Sequence, residues 1–443
     1  MKKSQSQSFS PLNNQEIGNS KYIWIMLLFL FTNALINNID KAVIGFASVP
    51  IMKELHLTPT QWGIVGSSFY WLFAISSLVI GGMADRKSSK KIISWMSFVW
   101  AGVQFATLFV IGLPSLILTR IILGVGEGPG SAVGAVVIGK WLPKNKYALG
   151  FACIFIGTAL GPAIGSPILM SLIESHGWKS AFLATGIIGV LWTVLWLLFA
   201  KESPQDIGLQ SPDSHISKST KVTSTWREFL KEVSFKNFLF IILAGMAAYW
   251  LLALKLVWFP NYFQNVRHLS GSQLNLAVSL PFIFSAVAQV VVALLSDRFY
   301  RKTADIRKSR VIIAGSLMVL SSFGIYLATV VSSNLLSMLL FSIAPGLTTV
   351  SLILLPAILI ETASQKNIGK AQGVFAAFST VSSMIAPIVF GAIIERSSNE
   401  NIGFNHAFQV SSFIILVIGI LFWIGVNPMR QKKIEIQAEE KTV

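Results

Sequence analysis

The chain has little of what most enzymes build their chemistry from. It contains a single cysteine, Cys153, in 443 residues, so neither a disulfide framework nor a cysteine-based metal cluster can organise it. Its five histidines, His56, His176, His215, His268 and His406, fall in expected connections, and none stands at metal-ligand spacing. No metal and no cofactor is expected. Charge is scarce as well, at 12% of residues, and acidic charge the scarcer, with 19 Asp and Glu against 35 Lys and Arg. The sequence lacks any Asn-x-Ser/Thr acceptor, which fits a bacterial plasma (inner) membrane. A small-residue cleavage pattern is missing after the first apolar stretch, so that stretch reads as a retained helix.

What the sequence has in excess is apolar surface: 53% hydrophobic residues, with 31 Phe and 13 Trp. A helix needs roughly 20 apolar residues to cross a bilayer core. Twelve windows qualify: 22–45, 59–84, 92–112, 115–141, 147–173, 178–200, 236–262, 273–296, 309–331, 334–361, 369–394 and 404–426. The expectation is an all-α membrane protein of twelve transmembrane helices.

A net charge of +16 could point to nucleic acid, but the placement of the charges excludes it. The two tails and the alternate loops 85–91, 140–146, 201–236, 297–310 and 361–370 hold 28 of the 35 Lys and Arg. The opposite loops hold Lys53, Lys179, Arg267 and Arg396, and Lys41, Arg120 and Lys255 lie within apolar windows. This bias puts both termini in the cytoplasm. The basic surface then faces the headgroups of the lipid bilayer, and no nucleic-acid partner is expected.

Residues 201–235, rich in Ser, Thr, Pro and charge, divide the windows six and six. The expected organisation is a six-helix bundle over 1–200, a cytoplasmic linker over 201–235 ending in a short interfacial amphipathic helix, and a second bundle with its tail over 236–443. The halves echo each other. GGMADRKSSKK (81–91) corresponds to ALLSDRFYRK (293–302), so that Asp85-Arg86 matches Asp297-Arg298. KNKYALGFA (144–152) matches KNIGKAQGVFA (366–376), and the fifth and eleventh windows each carry a midsection expected to be broken by Gly and Pro, GPAIGSP and APIVFG. Internal duplication of this kind marks transporters with a substrate site between two repeats near the midplane.

Five ionisable residues fall inside the apolar windows: Asp40, Lys41, Arg120, Glu127 and Lys255. An unpaired charge at the bilayer centre costs at least roughly 2.5–3.5 kcal/mol, so such residues face an aqueous cavity or a partner. Three positive and two negative charges on one cavity favour a bound anion. RIILGVGEGPG (120–130) is glycine-rich, yet it follows no strand and precedes no Lys-Ser/Thr, which excludes a phosphate cradle. Arg120 and Glu127, seven apart, lie within about 20° of one helix face. Glu127 reads as a buried functional acid, with a structural ion pair to a neighbouring base as the alternative. Lys255, amid Tyr249, Trp250 and Trp258, reads equally as a second-half cation facing Lys41 and Arg120, as half of an ion pair, or as a snorkelling side chain.

Taken together, the loop motif Gly81, Asp85, Arg86, Lys90, Lys91 and the duplicated halves resemble the major facilitator superfamily over the whole helical length. NNIDKAVIGFASVPIMKELHL (37–57), RIILGVGEGPG with KWLP (140–143), and GWKSAFLATGIIGVLW (177–192) resemble its anion:cation symporter group, which includes hexuronate, galactonate, glucarate and phthalate carriers and sialin-type proteins. The resemblance implies a protonation site at Asp40, a substrate-contacting base at Lys41 where relatives carry Arg, and gating roles for Asp85, Arg86, Asp297 and Arg298. It also implies an aromatic patch at Tyr70 and Phe73, with Phe73 in a place that bears a hydroxyl in relatives, and polar pocket positions at Thr158, Ser379 and Thr380. For Asp40 and Lys41, a snorkelling pair at the membrane edge is the alternative.

The expected activity is proton-coupled uptake of a small organic anion by alternating access, with Asp40 and Glu127 carrying the protons and the carrier working as a monomer. An exporter or exchanger without proton coupling is the rival within transport. A membrane-embedded lipid enzyme is disfavoured by the lack of any nucleophile-base-acid set.

Overall fold

A computed structural model describes residues 21–84, 87–142, 146–208, 227, 229, 235–362 and 367–428. Among them the secondary structure is helical throughout, with no strand. The first half comprises α1 (Lys21–Phe46), α2 (Pro59–Met83), α3 (Ser89–Thr107), α4 (Leu113–Trp141), α5 (Tyr147–His176) and α6 (Trp178–Phe199). The second comprises α7 (Phe235–Val257), α8 (Gly271–Thr303), α9 (Arg307–Val330), α10 (Asn334–Thr362), α11 (Ile368–Glu395) and α12 (Glu400–Gly425). Eleven of these are long and apolar enough to cross a bilayer. The exception, α3, has 19 residues and so spans about 28 Å at 1.5 Å per residue. Lys90 and Lys91 in its first turn, with Gln104 further on, dilute its apolar character.

Local chemistry fixes where several helices begin. Thr58 and Gln61 form a reciprocal capping box at the start of α2, with Pro59 in the first turn, where its missing N–H costs nothing. Ser88, Ser333 and Asn399 cap α3, α10 and α12 through their side-chain oxygens. Most of the interfacial helix expected before α7 lies outside the described residues, as do Asp85 and Arg86.

Two expectations are corrected. The Gly/Pro midsections do not break their helices: α5 runs unbroken through Pro162 and Pro167, and α11 through Pro387. Neighbouring helices hold them straight, as they do for many prolines in membrane helices. A Cβ at Gly157 would lie 2.4 Å from the Phe31 carbonyl oxygen and one at Gly161 2.5 Å from that of Leu35, so α1 packs directly on the α5 backbone. Interruptions fall instead in α2 at Leu72, in α10 at Val350 and in α4 at Gly128-Pro129, the last leaving Leu113–Glu127 and Gly130–Trp141 as separate segments. Proline after a run of weak helix formers removes the amide that would have continued the ladder. Glu127 is therefore the last residue of its segment.

The two halves meet tightly at one end. Gly45 faces the Leu256 carbonyl, Gly63 that of Pro387, and Gly391 that of Pro59; a Cβ at any of the three would lie within 2.3 Å of the opposing oxygen. Trp62 Nε1 donates to the Val257 carbonyl at 3.3 Å, the Thr60 amide donates to Glu395 Oε2 at 2.9 Å, and Ser166 bonds Ser279. On the second-half side a cluster of Trp258, Phe259, Tyr262, Phe341, Phe390 and Phe408, all fully buried, stiffens this closed end. The opposite end, where α1 starts and α12 finishes, leaves a cavity open between the halves.

Candidate functional site

The cavity between the halves has a volume of about 350 Å³. Helix α1 presents a polar stripe to it at four-residue spacing, Asn33, Asn37 and Lys41. The α2 wall carries Tyr70 and Phe73, α4 supplies Glu127, and α5 supplies Thr158. From the second half come Tyr249 and Lys255 on α7, Phe282 and Ser285 on α8, and Thr380 on α11. Apolar carbon with a few convergent polar groups is the usual make-up of a small-molecule site.

Lys41 and Glu127 form an ion pair in this wall, Nζ to Oε2 3.2 Å. The carboxylate side chain is fully buried and the ammonium only partly so, which leaves the base with the access to the cavity. Lys41 Nζ also lies 5.8 Å from the Phe73 ring centroid and 6.0 Å from that of Phe69. Those faces are negative and attract a cation. Lys41 and Phe73, the two positions expected to depart from the pattern of relatives, thus lie against each other. Glu127, the last residue before the α4 break, pairs across to α1.

Lys255 is 3% exposed and has no carboxylate within ion-pair distance among the described residues. Its ammonium donates to Ser285 Oγ at 3.0 Å and sits 4.3 Å from the Phe282 centroid. The Ser285 hydroxyl donates to the Pro281 carbonyl at 2.6 Å, so its oxygen is oriented to accept from the lysine. Of the alternatives open from the sequence, the ion pair and the snorkelling position are thereby removed.

Asp40 and Arg120 do not reach the cavity wall. Both are buried, at 0% and 1% exposure, behind Glu127 in the interior of the first half. Each is an electrostatic neighbour of the other and of Glu127, and Gln104 of α3 stands beside Asp40. Charges buried this deeply persist only when they compensate one another. Thr158 and Thr380 line the cavity, Thr380 with its hydroxyl bonded to the Ala376 carbonyl at 2.7 Å. Ser379 does not line it: its Oγ lies where a Cβ on Gly245 would sit, at the α7–α11 contact.

At the open end, two of the four positions expected to gate, Asp297 and Arg298, are among the described residues. Asp297 pairs with Arg310 at 3.3 Å, and Arg310 also reaches Glu361 at 2.8 Å, so the ends of α8, α9 and α10 are tied by one arginine. Arg298 is exposed. In the first half a separate knot centres on Glu202. Its carboxylate accepts from Ser88 Oγ, the amides of Ser89 and Lys90, and the Lys140 ammonium. Burial alone would raise its pKa; the Lys140 contact, the serine hydroxyl and the two amides outweigh that and hold it down at about 2.

The sequence reading had passed over Asn33, Asn37, Gln104 and Ser285. The asparagines had a signal, their spacing of four ahead of Lys41. Gln104 had only its polarity within an apolar window, and Ser285 had none beyond being a serine in a membrane helix, a common packing residue.

A hexuronate transporter of Bacillus subtilis is 28% identical over 418 residues, covering 94% of this chain and 97% of its own. A probable sulfoacetate transporter, SauU, of Cupriavidus necator is 29% identical over 409 residues, covering 88% and 90%. Among solved structures, a bacterial homolog to the human lysosomal transporter Spinster, in an inward-facing and occupied conformation, superposes with a TM-score of 0.78 at 16% identity over 92% of this chain and 97% of that one. A model of the Major Facilitator Superfamily matches residues 30–354 and 256–442, the span of nearly every helix that builds the two halves and the cavity between them. The chain is a multi-pass membrane transporter and belongs to the Major Facilitator Superfamily.

Proposed function

We propose that the protein is a secondary active transporter that takes up a small organic anion together with protons by alternating access between its two six-helix bundles. The observation that carries this reading is the Lys41–Glu127 pair, 3.2 Å apart in the wall of a cavity shared by both halves, with a second base, Lys255, across from it. A hexuronate transporter and a probable sulfoacetate transporter among the relatives support an anionic cargo. The 28 Lys and Arg in the tails and alternate loops support cytoplasmic termini in a bacterial inner membrane. The cavity then opens inward.

In this reading Glu127 and Lys41 exchange partners. With Glu127 ionised, Lys41 is neutralised and the cavity holds an anion weakly. A proton on Glu127 frees Lys41 for the substrate, while Arg120 and Asp40 behind it keep the net charge of the first half balanced. Loss of the proton to the cytoplasm restores the pair and displaces the anion. Moving a monoanion inward against an inside-negative potential costs roughly 2.3 kcal/mol per 100 mV, and one co-transported proton cancels that. Asp85, Arg86, Asp297 and Arg298 act in the gating knots at the open end, and Tyr70, Phe73, Thr158 and Thr380 shape the pocket.

The test is uptake of labelled hexuronates and related acids into proteoliposomes. Accumulation that needs an inward proton gradient and vanishes when the gradient is collapsed is the expected result. Accumulation indifferent to the gradient would leave an exchanger or exporter in its place.

A further inference from the structure

Lys41 on α1 and Lys255 on α7 line the same cavity from opposite halves. Their surroundings differ. Lys41 has a carboxylate at 3.2 Å, whereas Lys255 has a hydroxyl and a ring face. An ammonium has three N–H donors, and Ser285 takes one, so Lys255 keeps donors for a ligand.

Burying a lysine without a counter-charge is costly, and a mere packing position would be filled more cheaply by leucine or methionine. Around this one the polar groups are arranged to hold the ammonium in place while leaving its charge unneutralised. Ser285 is turned to accept from it by the Pro281 carbonyl, and the Phe282 face lies along one side. A site built this way is completed by an anion from outside the protein.

We propose that the substrate is a two-headed anion, with one acidic group on Lys255 and a second on Lys41, so that it bridges the halves. The proposal rests on the anion-transport reading above and adds the number of charged groups on the cargo. Charge counting agrees with it. The five ionisable groups within the apolar windows, Asp40, Lys41, Arg120, Glu127 and Lys255, carry three positive and two negative charges, a surplus of one. A group on Lys255 uses that surplus, and a second needs Lys41, which Glu127 holds until it is protonated. The groups facing Glu127 are Lys41 of α1, Asp40 and Arg120 behind it, and Tyr70 of α2. With one proton on Glu127 the surplus becomes two, which matches a dianion. Contacts to both halves at once also explain why a substrate of this kind would draw the bundles together, a role that a monoanion on one lysine does not fill.

The experiment compares matched pairs that differ by one carboxylate, glucarate against gluconate and succinate against butyrate, for binding to the purified full-length protein by calorimetry. In the wild type at least one dianion should bind about tenfold or more tightly than its monoanion partner, the factor that a single charge-assisted contact carries. Lys255→Gln should collapse that ratio to near one, and Lys255→Arg should retain it. A wild-type ratio near one with binding intact overturns the proposal, as does a ratio that survives Lys255→Gln. Failure of the underlying reading looks different: no anion of either kind binds or is taken up, while a neutral sugar or a cation does.

Discussion

At the scale of single residues, the chemistry concentrates in the Lys41–Glu127 pair. Glu127→Gln keeps the shape but cannot give up a proton, so gradient-driven accumulation should be lost while substrate counterflow persists; paired measurements in proteoliposomes check this. Lys41→Met leaves Glu127 buried without its ion pair, a change that costs about 3–5 kcal/mol where a buried pair is broken outright. It should lower the melting temperature as well as abolish uptake, and Glu127→Gln added to it should recover the stability but not the transport. The ionisable residues themselves were legible in the sequence, because charge inside an apolar window is conspicuous. Their geometry was not. Arg120 and Glu127 share a helix face, as the seven-residue spacing requires, but one helical face can look at the cavity at one depth and at a neighbouring helix two turns away. Helix periodicity fixes angle and says nothing of what stands opposite, which is why Arg120 and Asp40 lie behind the wall and not in it.

At the scale of elements, the helices were legible almost to their ends because apolar length is a direct physical requirement of the bilayer. The interruptions were not legible, since proline in a membrane helix breaks it only where neighbours fail to support it. Pro162 and Pro167 are supported by α1 pressed on the α5 glycines, whereas Pro129 follows a stretch in which Gly124, Gly126 and Gly128 offer little helical propensity of their own. The Glu202 knot is an element-scale device, since it caps α3 and ties it to α4 and the end of α6. Its carboxyl is held at about 2 when folded, against an ordinary value of 4.5. The folded state therefore binds this proton more weakly than the unfolded chain. The stabilisation is complete above about 4.5 and is lost as pH falls toward about 2. Glu202→Gln should lower stability at neutral pH by about 1 kcal/mol, allowing for solvent screening of a partly exposed group, and the deficit should shrink in acid; thermal melts across pH 3–7 read both.

At the scale of the whole molecule, the balance between end states is set by what holds the closed end together. Among the described residues the hydrogen bonds that cross it include Trp62 to Val257, Thr60 to Glu395, Asn261 to Met52 and Ser166 to Ser279. At a net of about 0.5–1.5 kcal/mol each, they amount to a few kcal/mol, the size of gap across which a ligand can shift a two-state equilibrium. Trp62→Phe removes one of them along with part of the packing of a fully buried ring, and should move the population toward the form open at this end by about fivefold or more, read from spin-label distances between α2 and α11. Duplication and a shared cavity were readable from the sequence, because repeats and linkers are properties of order along the chain. The state in which the halves rest was not, since that depends on a difference of small energies between surfaces far apart in sequence. Those surfaces set Gly45, Gly63 and Gly391 against peptide oxygens, with Trp62 as the large side chain that crosses between them. Where glycine meets carbonyl, two backbones can slide apart with nothing to unlatch, so the grip of the closed end falls to the few side chains that reach over, Trp62 foremost.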